Sequence, residues 1–124
     1  MVASDKLAAL VGTPFRYGGR GPDAFDCYGL VMHIHALRGV ELPDFGTPQD
    51  RDAIPAHMAT VAMSWKQVGP GPHTVVLFRA GRTLHVGYTL PGDKFIHTWE
   101  SSGGVVIERL SQWAHRIVGY YQYV

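Results

Sequence analysis

A Gly-Pro-Gly-Pro run at residues 69–72 divides the chain into two halves with different hydrophobic patterns. Proline lacks a backbone N–H donor and glycine favours turns, so neither a helix nor a strand continues through such a run. Apolar residues before it recur at helical spacing, whereas those after it alternate as they do in strands. Helices followed by strands predict an α+β fold, with N-terminal helices packed on one face of an antiparallel sheet.

The same patterns predict the position of each element. We expect helices over 4–11, 27–38 and 48–64, and an extended or turn segment over 40–47. We expect strands over 74–79, 83–90, 94–99, 105–109 and 117–123, and a short helix over 110–114. Residues 12–26 are rich in glycine and proline, which indicates a loop, and Asp26 is placed to cap the helix that follows.

Length and composition restrict the class of protein. The 124 residues are 46% hydrophobic and 17% charged, which predicts one globular domain over 1–124. The formal net charge of +1 gives no basic field for nucleic acid, and no apolar run approaches the ~20 residues of a membrane span. The first residues lack the features of a signal peptide, so we expect synthesis in the cytoplasm without one.

The single cysteine, Cys27, lies where the loop meets the helix predicted over 27–38. The positive end of a helix dipole lowers the pKa of a thiol, so we expect a reactive thiolate. Cys27 also belongs to the apolar stripe of that helix, so its sulfur should point toward the core. His85 and His97 lie in two predicted strands and are candidates for a base and the residue that orients it. The alternative interpretation is an inert buried cysteine with two structural histidines.

The loop after the strand over 83–90 decides whether the two histidines can meet. A two-residue turn over 91–92 sends His85 and His97 to opposite faces of the sheet. A three-residue loop over 91–93 instead puts His97 opposite Gly87 and diagonal to His85. Diagonal neighbours lie roughly 7–8 Å apart at the backbone, which two imidazole rings can span. A catalytic role for both histidines therefore requires an odd loop or a bulge.

Four blocks of the sequence together carry a resemblance to a known family. They are Tyr17-Gly-Gly, Phe25-Asp-Cys-Tyr-Gly-Leu-Val31, His85-Val-Gly-Tyr88, and Phe95-Ile-His97 followed by Gly103-Gly-Val. In this order they resemble the NlpC/p-sixty family of cell-wall cysteine peptidases. The resemblance covers nearly the whole chain, and the ending His…Gly-Gly-Val…Glu-Arg-Leu is similar to that of the small phage-tail members.

The resemblance implies a circularly permuted papain-like fold and a peptidoglycan hydrolase. Family members hydrolyse stem peptides, commonly between D-glutamate and diaminopimelate or lysine. By resemblance, Cys27 is the nucleophile that forms an acyl-enzyme, His85 the general base, His97 the third, orienting residue, and Tyr17 a helper at the oxyanion site. No metal or organic cofactor is implied. The implied partners are stem peptides and, for a phage-tail member, the tail proteins that would deliver the enzyme outside the cell.

Two positions depart from the family pattern. Tyr28 stands where the family usually has serine, and His73-Thr74 stands where it often has Gly-Asp. These departures favour a catalytically silent structural or wall-binding tail domain, whereas the intact set of Cys27, His85 and His97 favours an enzyme. A papain-like amidase or acyltransferase acting on another amide fits the same residues. The sequence leaves open the bond that is cleaved and the oligomeric state.

Overall fold

The computed structural model describes residues 4–44, 65–80 and 83–123. The helices are α1 (Ser4–Ala8), α2 (Cys27–Leu37) and a 3₁₀ helix (Leu110–Arg116). The strands are β1 (Trp65–Val68), β2 (Val75–Ala80), β3 (Thr83–Leu90), β4 (Lys94–Thr98), β5 (Val105–Arg109) and β6 (Ile117–Tyr123). They form one six-stranded antiparallel sheet in the order β1-β6-β2-β3-β4-β5. The predicted α+β class is confirmed.

Some predicted bounds differ from the observed ones. The first helix ends at Ala8 rather than at residue 11, because the chain tightens into turns closed by bonds such as Leu10 N–H to the Leu7 carbonyl, 3.1 Å. The predicted helix over 110–114 is a 3₁₀ helix that continues to Arg116. The helix predicted over 48–64 lies outside the described residues. Within the described ranges, no helix is both long and apolar enough to cross a membrane.

The short strand β1 was not predicted from the sequence. Four residues are too few to show a period, so its pairing with β6 rather than its own pattern makes it a strand. Trp65 pairs with Tyr123, and their rings meet edge to face with centroids 5.4 Å apart. This aromatic pair anchors one edge of the sheet.

Side chains on the two faces of the sheet alternate along each strand and enter different clusters. One face, which we call the helix face, packs against α2. Its core joins Leu30 and Ile34 of α2 to Tyr88 of β3 and Ile96 of β4. These side chains are fully buried, so α2 is fixed on the sheet by apolar contact.

The opposite face, which we call the aromatic face, is covered by the 3₁₀ helix. Its core joins Val76 and Phe78 of β2, Phe95 of β4 and Trp113 of the 3₁₀ helix. Trp113 is 6% exposed and the three strand residues are fully buried. The 3₁₀ helix thus closes a second core on the side away from α2.

Candidate active site

Asp26 fixes the start of α2, and with it the position of Cys27. Its carboxylate accepts the Gly29 N–H at 2.6 Å and the Gly18 N–H at 3.1 Å. Arg20 Nη1 donates to both carboxylate oxygens at 2.8 Å. The predicted cap is confirmed, and the same carboxylate also ties the preceding loop to the first turn of the helix.

The loop crosses the first turn of α2 so closely that only glycine fits there. A Cβ added at Gly29 would clash with the carbonyl oxygen of Gly19. This contact therefore requires glycine at position 29, whereas a Cβ at Gly19 would instead lie 2.9 Å from the carbonyl oxygens of Arg16 and Ala24.

The thiol of Cys27 faces β3, as the stripe on its helix predicted. Its side chain packs on the cluster that contains Val86, and the nearby backbone of Val86 and of Tyr28 acts to lower its pKa. Val86 directly follows His85, and the pairing of β3 with β4 ends beyond it, at Tyr88. Cys27 therefore packs against the residue that follows His85, in a part of β3 that is not paired with β4.

The surroundings of Cys27 raise its pKa rather than lowering it. Burial, the largest cause, and the charge of Asp26 raise the pKa of the thiol to about 11, against smaller lowering by the backbone of Val86 and Tyr28 and by Arg20. The expectation of a resting thiolate is therefore wrong, because desolvation exceeds the effect of the helix start. At neutral pH Cys27 is a neutral thiol.

The two histidines meet through a three-residue loop. Leu90 pairs with Lys94, so residues 91–93 form the odd loop that a shared role requires. His85 Nε2 lies 2.7 Å from His97 Nδ1, a hydrogen bond between two buried imidazoles. Gly87 permits this approach, because a Cβ there would lie 3.2 Å from the Cβ of His97. Of the two loop lengths left open by the sequence, the structure has the one that a shared role of the histidines requires.

The hydrogen-bonded chain extends beyond the predicted residues to Glu108. His97 Nε2 lies 2.8 Å from Glu108 Oε1, and Trp113 Nε1 donates to Glu108 Oε2 at 3.3 Å. No sequence motif had predicted a role for Glu108. The strand register explains its position: Glu108 pairs with Phe95 on β4, which makes it a diagonal neighbour of His97.

Aromatic rings surround His85, the predicted base, and bury it. The His85 ring stacks on Phe78 with centroids 5.8 Å apart and lies 5.9 Å from Trp99 and 6.1 Å from Trp113. Burial, and then the neighbouring His97, lower the pKa of His85 well below 6.5. Burial also lowers the pKa of His97, opposed by the hydrogen bond and charge of Glu108. These lowered pKa values favour neutral imidazoles at neutral pH, and a neutral imidazole has one ring nitrogen without hydrogen.

Tyr17, the predicted oxyanion helper, lies at the surface near the site. Its hydroxyl donates to Glu100 Oε2 at 3.1 Å, which links the loop before α2 to the loop after β4. Its side chain is 36% exposed. Its role at the oxyanion site stays a prediction.

Tyr28, which replaces the usual serine, has a structural place. Its side chain is 5% exposed in the helix-face core, and its hydroxyl donates to the Pro43 carbonyl at 2.8 Å. The guanidinium of Arg20 lies 5.9 Å from the centre of its ring. The phenol is thus held between Arg20 and Pro43, which fastens residues 40–44 to the start of α2.

A model of the NlpC/P60 family matches residues 12–122, a range that includes Cys27, His85, His97 and Glu108. The chain belongs to the NlpC/P60 family. Two curated family relatives illustrate the similarity. The protein named probable endopeptidase p60 of Listeria monocytogenes is 28% identical over 113 residues, which are 89% of this chain and 21% of that protein. Murein DD-endopeptidase MepH of Escherichia coli is 30% identical over 127 residues, covering 95% of this chain and 44% of that protein.

The fold is also that of solved family structures. The peptidoglycan hydrolase RipB of Mycobacterium tuberculosis superposes with a TM-score of 0.67 at 19% identity, covering 95% of this chain and 60% of that chain. The present chain thus spans only part of the family relatives, 21% of the Listeria protein and 44% of MepH.

Proposed function

We propose that this NlpC/P60 chain is a cysteine peptidase that hydrolyses the stem peptides of bacterial peptidoglycan. The observation that carries the proposal is the hydrogen bond of 2.7 Å between His85 and His97, on a strand whose next residue, Val86, packs with Cys27. Acyl transfer requires a nucleophile, a base that takes its proton and a group that orients the base. The names of the relatives, an endopeptidase and a murein endopeptidase, support the choice of substrate.

Catalysis begins from a neutral pair. Because Cys27 is a thiol and His85 a neutral imidazole at rest, the proton moves from Sγ to His85 Nδ1 as sulfur attacks the scissile carbonyl. The nearby backbone of Val86 and of Tyr28, which acts to lower the pKa of the thiol, favours the negative charge on sulfur while it lasts. His85 then gives the proton to the leaving amine, which leaves an acyl group on Cys27, and water releases that group by the reverse steps.

The oxyanion formed by this attack needs donors. The backbone N–H of Cys27 lies in the first turn of α2, where N–H groups have no helical partner. We assign the second donor to the Tyr17 hydroxyl, which would exchange Glu100 for the oxyanion when substrate binds.

The bond and the delivery route belong to the same proposal. We propose cleavage between D-glutamate and the diamino acid of the stem, and delivery outside the cell by a phage or prophage tail. The support for both is the resemblance of the sequence blocks, with the Glu108-Arg-Leu ending for the tail assignment.

The direct test is digestion of defined stem peptides. The purified chain is incubated with the tetrapeptide L-Ala-γ-D-Glu-diaminopimelate-D-Ala and with a cross-linked dimer of it, and new amino termini are identified by mass spectrometry. The expected product carries a free amino terminus on diaminopimelate, and Cys27→Ala should give none. Cleavage at the D-Ala cross-link instead would overturn the bond but keep the peptidase. A folded wild-type protein that cleaves neither substrate would support a silent wall-binding or structural domain.

A further inference from the structure

Glu108 ends the hydrogen-bonded chain that starts at the base. Its two carboxylate oxygens have separate donors on the aromatic face, His97 Nε2 at 2.8 Å and Trp113 Nε1 at 3.3 Å. Its side chain is 32% exposed, whereas the His97 side chain is fully buried. The charge of Glu108 thus lies at the border between solvent and a dry pair of histidines.

The bond between the histidines does not by itself make His85 a base. In the first arrangement, His85 Nε2–H donates to His97 Nδ1. The His85 Nδ1 atom then carries no hydrogen and can accept a proton. With the proton on His97 Nδ1 instead, His85 Nε2 becomes the acceptor and its Nδ1 carries hydrogen. Both arrangements fit the same separation of 2.7 Å, but only the first leaves a basic nitrogen for the thiol.

Glu108 selects between the two arrangements. A carboxylate can only accept, so His97 Nε2 must carry the hydrogen that it shares with Glu108 Oε1. A neutral His97 then has a bare Nδ1, which requires the hydrogen on His85 Nε2. We propose that Glu108 is a positioning residue that sets the tautomers of His97 and His85, so that His85 Nδ1 is the base for Cys27. This inference rests on the proposed peptidase function only for its consequence in catalysis.

The proton balance of the reaction does not pass through Glu108. The proton leaves Cys27 Sγ for His85 Nδ1, goes to the leaving amine, is replaced from water during deacylation, and returns to sulfur. His97 keeps its Nε2–H throughout, and Glu108 stays a carboxylate. As His85 becomes positive in the transition state, the negative charge beyond His97 stabilises it.

The variant Glu108→Gln tests the selection. An amide has a single acceptor oxygen, and the N–H groups of Trp113 and His97 compete to donate to it. When the oxygen turns to Trp113, the amide NH₂ faces His97 Nε2 and imposes the reverse tautomers. We expect kcat on stem peptides to fall roughly 10²-fold or more with little change in KM. The matched control is Glu41→Gln, which removes one charge from an exposed residue and should leave kcat unchanged.

Long-range ¹H–¹⁵N spectra of histidine-labelled protein give a readout that needs no substrate. Signals are assigned with His85→Gln and His97→Gln variants. We expect hydrogen on Nε2 of both histidines in the wild type and in Glu41→Gln, and hydrogen on Nδ1 of His85 in Glu108→Gln. A wild type with hydrogen on His85 Nδ1, or a Glu108→Gln protein with unchanged tautomers, would overturn the inference.

A double variant separates a tautomer effect from damage to folding. Trp113→Phe removes the competing donor, so in Glu108→Gln with Trp113→Phe the amide oxygen is free to turn to His97. The double variant should regain the wild-type tautomers and exceed the kcat of Glu108→Gln. No regain in either readout contradicts the inference. If the tautomers behave as expected but the wild type cleaves no stem peptide, the proposed function fails and the selection by Glu108 stands.

Discussion

The two faces of the sheet bury side chains equally well, but burial has different consequences on each face. On the helix face, Leu30, Ile34 and Ile96 exclude water to hold α2 on the sheet. On the aromatic face, the rings around Phe78 enclose two histidines, so the exclusion of water changes their protonation as well as their packing. Burial on the first face contributes stability, whereas burial on the second also determines chemistry.

The site lies where the two faces meet. Cys27 approaches β3 from the helix face, and His85 belongs to the aromatic face. The pairing of β3 with β4 begins only at Tyr88. The part of β3 that carries His85 is therefore open toward β4, where the proposed nucleophile from one core could meet the proposed base from the other.

The largest expected effect is that of removing the nucleophile. Cys27→Ala should reduce hydrolysis of stem peptides by about 10³-fold or more, because no other group forms the acyl-enzyme. The thermal midpoint should change little, since only one sulfur atom is lost. Hydrolysis at a rate close to wild type would refute a role for this thiol.

One truncation on each face sharpens the comparison. Phe78→Ala and Ile34→Ala each remove a fully buried side chain, and urea unfolding should show losses of about 3–5 and 2–5 kcal/mol. Only Phe78→Ala should also lower kcat in the folded protein, because Phe78 stacks on His85. Equal kcat for the two variants would contradict the division of tasks between the faces.

Gly87→Ala tests the close approach of β3 to the second histidine. The added Cβ would lie 2.9 Å from a Phe95 ring carbon and 3.2 Å from the His97 Cβ, so we expect a loss of about 1–3 kcal/mol. Displacing His97 should also reduce kcat by roughly tenfold or more. Gly69→Ala is the control, because a Cβ there meets nothing within 4 Å. If the two variants have the same kcat, the packing at Gly87 does not position His97.

The smallest effect is expected at Tyr28. Tyr28→Phe removes the bond to the Pro43 carbonyl and should lower the free energy of unfolding by about 0.5–1.5 kcal/mol. Because the ring stays in place in the helix-face core, the rate of hydrolysis should stay within about twofold of wild type. A large gain in rate would mean that the hydroxyl impedes the site.

The periodic parts of the chain were predictable: the stripe on α2 and the strands β2 to β6 follow from local patterns that tertiary contacts reinforce. The loop at 91–93 was left open between two lengths, and the observed pairing of Leu90 with Lys94 decides between them. The strand β1 was missed because its four residues gain strand structure only from β6.

The electrostatics of the site were less predictable than its geometry. The position of Cys27 at a helix start indicated a low pKa, but desolvation depends on the tertiary packing around the sulfur, which no local pattern shows. Glu108 was missed for a related reason, since its role depends on a pairing across β4 and β5. The signal available in the sequence was a charged residue, Glu108, at a position of β5 that faces the same side of the sheet as His97.

The neutral Cys27–His85 pair is tested most directly by the pH dependence of Cys27 alkylation. The rate with iodoacetamide is measured from pH 5 to pH 10 by intact mass, with Cys27→Ala as the unlabelled control and circular dichroism to verify folding. With a pKa of about 11 for the thiol, the logarithm of the rate should rise steadily through pH 10 without a plateau, above the inflection near ~8.5 of an ordinary thiol. A fast rate that is already constant between pH 5 and pH 7 would show a resting thiolate–imidazolium pair and contradict the dry, neutral site.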